Sequence, residues 1–240
     1  MLILAADTST RSASIALVRD GTVLGETTLS LGRTHSTTFM PALEELMHRC
    51  GLVHADLSAY ACTVGPGSYT GIRIGLATLQ MMAFAANKPV YGVSTLDALA
   101  LPLLVSRHLL VCPMLDARSG RVFASVVDGE GAHRWAEEAN RPVEHFAAAL
   151  ATALETDPGA TVVLCGDGAE LHATRLRALL PGVDVHVAVG ALQSPLASSV
   201  ALLAERRAAA GDLGDPAGMT ASYLSPSQAE REAGTRGNGP

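Results

Sequence analysis

Lysine is almost missing from this chain. Lys88 is the single one among seventeen lysine and arginine residues, no run of basic residues occurs, and the formal net charge is −6. Affinity for a polyanion comes mostly from neutralising phosphates, so these deficits exclude an independent electrostatic grip on nucleic acid. Any RNA would have to be held chiefly by another molecule. Cysteine is also scarce: Cys50, Cys62, Cys112 and Cys165 form no CxxC and no close pair. Three sit in apolar, strand-like runs and read as buried free thiols of a reducing compartment. Long hydrophobic runs are lacking too. The opening MLILAAD reaches an acid at Asp7 with no basic leader and too short an apolar core for a signal peptide. The longest uncharged window, 185–204, is broken by Gln193, Ser194, Pro195, Ser198 and Ser199. It reads as a strand followed by a capped helix rather than a membrane span. A soluble, cytoplasmic protein without membrane contact is the expectation.

What is present is apolar substance. The 240 residues are 48% hydrophobic and 17% charged, enough for one large domain or two small lobes with apolar surface left to face a partner. Residues 2–7 and 12–18 read as strands joined by the turn TSTR, and Arg19-Asp20-Gly21 turns the chain into a third at 22–31. Residues 37–50 switch to a helical period, with Phe39, Met40, Leu43, Leu46, Met47 and Cys50 on one stripe and Gly51 as the stop. A strand at 59–64, a glycine-rich loop and a helix to about Asn87 follow. Pro89 ends that helix, 90–93 is a strand, and Ser94 caps a helix to about Val105.

The second half restarts the scheme. Strands 110–117 and 121–127 flank the turn Arg118-Ser119-Gly120. Helix 143–155, strand 161–165, helix 169–179, strand 183–189 and helix 194–210 complete it. DTSTRSASIAL and DARSGRVFASV align loosely, each opening on a strand-end acid, Asp7 or Asp116, which hints at internal duplication. The expected division is a first lobe at 1–108 and a second at 109–224, with helix 194–210 packing back on the first. Residues 225–240, SPSQAEREAGTRGNGP, lack periodicity and read as a disordered tail.

The stretch that invites a chemical reading is TVGPGSYTGIRIG, residues 63–75. Gly65 and Gly71 are one residue too far apart for the loop G-x-x-x-x-G-K-[ST], and Arg73 does not replace its lysine. G-x-G-x-x-G also fails after Gly65-Pro66-Gly67. Two readings remain: a strand-to-helix turn whose amides meet an anion, with Ser68 or Thr70 as N-cap, or a tight turn that needs Gly65 and Gly67 for its backbone. The helix beyond is apolar all round. Gly71 and Gly75 share a flat face, and Ile72, Ile74, Leu76, Leu79, Met81, Met82 and Phe84 cover most of the rest. Either helix 37–50 or a partner's helices must cover what the sheet does not. The eight histidines show no HExxH or HxxxH spacing, and no G-x-S-x-G elbow is present. Asp7 and Asp116 could face one cleft, and Gly166-Asp167-Gly168 could approach a nucleotide base or merely turn the chain.

Taken together, LILAADTST, RTHS before helix 37–50, VGPGSYTGIRIGLATLQ and PVYGVSTLDALA resemble the TsaB (YeaZ) family, with LDARSGRVFAS and LCGDGA extending the resemblance over roughly residues 1–224. It implies an α/β, actin-like and Hsp70-like ATPase (ASKHA, ribonuclease H-like) fold of two related lobes, with mixed sheets flanked by helices. It also implies the bacterial machinery that makes N6-threonylcarbamoyladenosine at position 37 of tRNAs reading ANN codons. There, a chain of this kind is expected to dimerise with and support a catalytic TsaD-like subunit, to be engaged by a TsaE-like ATPase, and to form homodimers when alone. tRNA would be met only through the complex. The implied partner interface is His35, Phe39, Leu43, Met47, Gly71, Arg73, Gly75, Thr78 and Met82. Asp7, Gly65, Gly67, Ser68, Asp116, Gly166 and Gly168 would ring a vestigial nucleotide cleft. The turn Asp7-Thr8-Ser9-Thr10 lacks the glycine of active relatives, Asp116-Ala117-Arg118 lacks it as well, and the catalytic paralogue's histidine pair is missing. The resemblance therefore implies no catalytic residue, no metal and no cofactor of its own, with ATP or ADP only at a shared interface. Where the family ends on Tyr-Leu-Arg, this chain has Tyr223-Leu224-Ser225. The competing reading is a stand-alone small-molecule kinase or ATPase of the same fold; a peptidase has the least support.

Overall fold

The strand Leu2–Asp7 (β1) sets the architecture, because its residues alternate between two buried faces. Leu2, Leu4 and Ala6 enter one core and Ile3 and Ala5 another. Such a strand must be covered on both sides. In the computed structural model, which describes residues 1–30, 35–216, 218–222 and 224, β1 is the centre of a five-stranded sheet. Ala13–Arg19 (β2) and Thr22–Leu29 (β3) continue it antiparallel, while Ala59–Gly65 (β4) and Val90–Ser94 (β5) extend it in parallel on the other side. The helices His35–Arg49 (α1) and Tyr69–Ala86 (α2) cover one face through Phe39, Leu43, Leu46, Met47, Leu76 and Leu79.

The second half repeats the order. Leu109–Asp116 (β6) is central, Arg121–Asp128 (β7) pairs antiparallel with it and Arg134–Pro142 (β8) antiparallel with β7, and Thr161–Cys165 (β9) and Val185–Val187 (β10) run parallel to β6. Both sheets thus read 3-2-1-4-5 in local strand number, so the loose sequence alignment reflects two related lobes. Val143–Thr156 (α4) and Asp167–Leu179 (α5) cover the outer face of the second sheet. β8 is a strand that the sequence reading passes over, because RWAEEANRP at an edge mixes charge with few apolar residues.

Two helices lie between the sheets, and each crosses over. Thr95–Ala100 (α3) directs Leu96, Leu99 and Ala100 at Val111, Leu115 and Val127 of the second sheet. Ala197–Ala209 (α6) lays Ala197, Val200, Ala201 and Ala204 on Ile3, Ala5, Ala16, Ala59 and Ala61 of the first. Small residues on both sides bring that helix close to the sheet. Its first amides are capped from the first sheet: Ser14 Oγ accepts from Ala197 N at 3.0 Å, and Glu26 accepts from Ser198 N at 2.9 Å and Ser198 Oγ at 2.8 Å. A carboxylate there satisfies unpaired amides and complements the helix dipole.

α3 is shorter than the expected run to Val105. Pro102 has no N–H to continue the ladder, and Leu101–Leu103 tightens into a single 3-10 turn. The expected strand 183–189 is three residues in β10, and α6 starts at Ala197 after a second such turn at Gly190–Gln193. Lys88, the lone lysine, donates to Ala55 O at 2.9 Å and to Leu57 O, holding the turn before β4. No helix among the described residues is long and apolar enough to cross a membrane. The tail 225–240, Tyr223 and the side chain of His35 lie outside the described residues.

Candidate functional site

The glycine loop is filled by the chain's own first turn. Ser68 caps α2, its Oγ accepting from Gly71 N at 3.2 Å, while Ser68 N donates to Ser9 O at 2.7 Å. An added Cβ at Gly67 would strike Ser9 O, and one at Gly71 would strike Thr8 O. The space a phosphate would need beside these amides is occupied by Thr8 and Ser9. Gly65, at φ +121°, holds a backbone conformation that side chains rarely adopt, so the tight-turn reading accounts for the loop.

Asp7 is an organiser of the same turn. It is buried at the end of β1 and accepts from Ser9 N at 3.2 Å, Ser9 Oγ at 2.5 Å and Thr63 Oγ1 at 2.6 Å. Burial, reinforced by the Asp7 charge, pushes the neighbouring Cys62 thiol up to about 12. Asp116 is exposed; its carboxylate accepts from Arg118 N at 2.8 Å, and its own amide donates to Asp167 Oδ1 at 3.0 Å. Gly166 and Gly168 pack tightly on the end of β6: a Cβ at Gly166 would strike Met114 O, and one at Gly168 would lie 2.8 Å from the carbonyl carbon of Leu115. These two glycines seat α5 against its sheet.

A cleft of about 320 Å³ does open between the lobes, lined by Thr10, Arg11, Ser12, Ser30, Asp167, Gln193 and Ser194. None of the seven residues expected to ring a nucleotide is in that lining. Three of the lining residues, Thr10-Arg11-Ser12, are the outer half of the quoted turn DTSTRS, and Asp167 sits between the quoted Gly166 and Gly168; Ser30, Gln193 and Ser194 carry no comparable signal. Among the described residues, no group of three or more His, Cys, Asp and Glu side chains is placed to hold a metal ion.

The expected partner residues divide sharply. Phe39, Leu43 and Met47 are buried in the first core, and Gly71 and Gly75 face Thr8. Most of the α1 stripe therefore faces its own sheet, with Met40 left exposed on it, and the flat face of α2 is filled within this chain. Thr78 is half-buried and donates to Ile74 O at 2.7 Å, Met82 is half-buried, and Arg73 is exposed. The uncovered side of α2 instead carries Tyr69, Arg73, Ala77, Met81 and Phe84, spaced three and four apart. Met81 is 65% exposed and Phe84 71%, and the Arg73 guanidinium stacks 3.9 Å from the centre of the Tyr69 ring.

Comparison with known proteins agrees with this architecture. A family model described as TsaD, tRNA N6-adenosine threonylcarbamoyltransferase, matches residues 22–210. The tRNA threonylcarbamoyladenosine biosynthesis protein TsaB of Bacillus subtilis (strain 168) is 32% identical over 232 residues, covering 96% of each chain. The crystal structure of a Pseudomonas aeruginosa protein, described as similar to the peptidase YeaZ, superposes with a TM-score of 0.77 at 27% identity. That match covers 93% of this chain and 99% of the other. A polyphosphate/ATP-glucomannokinase from Arthrobacter sp. strain KM shares the fold alone, with a TM-score of 0.50 at 11% identity over 85% of this chain and 99% of its own. The fold is the two-lobed, actin-like one, and the chain belongs to the TsaB (YeaZ) family of tRNA threonylcarbamoyladenosine biosynthesis proteins.

Proposed function

We propose that this chain is a non-catalytic subunit in the formation of N6-threonylcarbamoyladenosine on tRNA, pairing with a TsaD-like catalytic subunit through the uncovered side of α2. The observation that carries the reading is the exposure of Met81 and Phe84 on the side of α2 that faces away from its own sheet. Large apolar side chains grouped on one exposed face favour a covering partner. The filled loop supports the non-catalytic half of the reading, because the glycine turns that would approach a phosphate are packed with Thr8, Ser9 and Met114. In this reading the lobes are 1–108 and 109–224, a TsaE-like ATPase engages the pair, tRNA is met only in the complex, and a homodimer forms on the same face when the partner is absent.

The test is reconstitution of the modification with the catalytic subunit, the ATPase and the adenylate-making enzyme, with and without this chain. Omission should abolish product, and Met81→Ser with Phe84→Ser should weaken co-purification with the catalytic subunit while the melting temperature holds. Undiminished product without the chain refutes the reading. Turnover of ATP by the isolated chain would favour the stand-alone kinase, for which the inter-lobe cleft is the supporting observation.

A further inference from the structure

The chain beyond α6 turns back along the first lobe. Gly211 redirects it, and Asp212 is fixed by Arg207 Nε at 2.8 Å and by Gly214 N at 2.9 Å. Arg207 also donates to Gly92 O in β5, and the Tyr91 hydroxyl donates to Asp212 O at 3.3 Å. Gly214 lies so close to β5 that an added Cβ would stand 3.0 Å from Val90 O. The segment, residues 211–216 and 218–222, therefore passes round the edge strand, from the face covered by α6 to the face covered by α2.

On that second face it is held by α2 itself. Gln80 Nε2 donates to Pro216 O and, at 3.5 Å, to Met219 O. Met219 and Ala221 pack against the core beneath α2, and Ser222 N donates to Val64 O at 2.7 Å. Two strand glycines lie against it: a Cβ on Gly92 would strike Val64 Cγ1 and lie 3.3 Å from Met219 Cγ and Sδ, and one on Gly65 would strike Ser222 O. Gln80 immediately precedes Met81 and stands one turn before Phe84.

We infer that this segment is a strap that positions the C-terminal half of α2, so that the chain's C-terminal region sets how Met81 and Phe84 are presented. The inference rests on the reading of α2 as the partner face, and it names how that face is regulated. The C-terminal half of α2 is seated by the buried Leu79 and Ala83 and tied to the segment through Gln80, and cutting that tie lowers the cost of opening it locally.

Hydrogen exchange of the α2 amides in the full chain, without partner, tests it. Gln80→Met keeps the side chain's length and removes its donor; Met219→Asp expels the apolar plug. Each should lower protection of residues 80–86 by about ten-fold or more while α4 changes by less than about two-fold, and Met219→Leu should hold the wild-type pattern. Affinity for the catalytic subunit should fall in the same two variants although Met81 and Phe84 are intact. Unchanged α2 protection in Gln80→Met overturns the strap, even where Met219→Asp does not fold. Exchange is read on the isolated chain, so that failure leaves the pairing test standing, and a failed pairing test leaves the exchange result standing.

Discussion

Thr8 donates its hydroxyl to Gly71 O at 2.7 Å, and the same side chain fills the space beside Gly75. One residue of the first turn thus locks two successive turns of α2. Gly71→Ala gains about 1 kcal/mol of helix propensity but drives its Cβ into a carbonyl that cannot swing away. The overlap should win, with a net loss of about 1–3 kcal/mol, read as a lower midpoint in urea. At Gly75 the obstructing atom is the Thr8 hydroxyl itself. Gly75→Ala combined with Thr8→Ala should therefore cost less than the two changes summed, by about 0.5 kcal/mol or more.

The seam between α6 and the first sheet makes a second prediction. Ala201 is fully buried against alanines of β1, β2 and β4. Ala201→Leu adds volume where helix and sheet already meet closely, and should cost about 1–3 kcal/mol. For a chain of this size each kcal/mol lowers the melting temperature by about 2–4 °C. An unchanged melting temperature would mean that the seam has slack.

Glu138 gives the stability a pH dependence. Its carboxyl reaches from β8 to accept from Ser94 Oγ at the start of α3, and stands 3.8 Å from Arg134 Nη1 on its own strand. Burial raises its pKa above the ordinary carboxylate value of 4.5, with Asp97 and Glu137 adding to the rise and Ser94 and Arg134 opposing it. Between the ordinary and the raised value the folded chain binds more protons than the unfolded one, so stability falls as pH climbs through that window. Glu138→Gln should remove this fall and keep the Ser94 hydrogen bond. Parallel melting curves for both proteins from pH 4 to 7 would contradict the assignment.

The thiols should separate into two classes. Cys62, Cys112 and Cys165 are buried, and burial raises each of their pKa values, whereas Cys50 is half-buried at the end of α1. Native protein treated with an alkylating reagent should carry one rapid label, at Cys50 by mass spectrometry, with the others appearing on denaturation. Rapid labelling of Cys62 would show that the Asp7 turn opens readily.

Much of the fold was legible in the sequence. The Asp20-Gly21 turn, the short apolar run LILAA ending at Asp7 and the capping serines Ser68 and Ser94 are local signals, and they placed the strands and helices. β8 was hidden because an edge strand needs few apolar residues. The site was read less well. Phe39, Leu43 and Met47 announce an apolar face, but periodicity does not say whether that face meets its own sheet or another molecule. Gly71 and Gly75 announce a flat one, yet Thr8, far away in sequence, fills it. Met81 and Phe84 stood out only after the inward face of α2 was fixed, and the cleft lining joins four segments that no motif connects.

The position of α6 has a consequence for synthesis on the ribosome, where N-terminal segments emerge first. The strands of the first sheet are complete at Ser94, yet the face formed by Ile3, Ala5, Ala16 and Val18 is closed only by Ala197–Ala209. From Ser94 until Ala197 is made, the nascent chain carries an open apolar sheet, which a holding chaperone would recognise. A premature stop before Ala197 would leave that sheet bare in every copy made. The first sheet is closed by a helix translated only after every strand of the second.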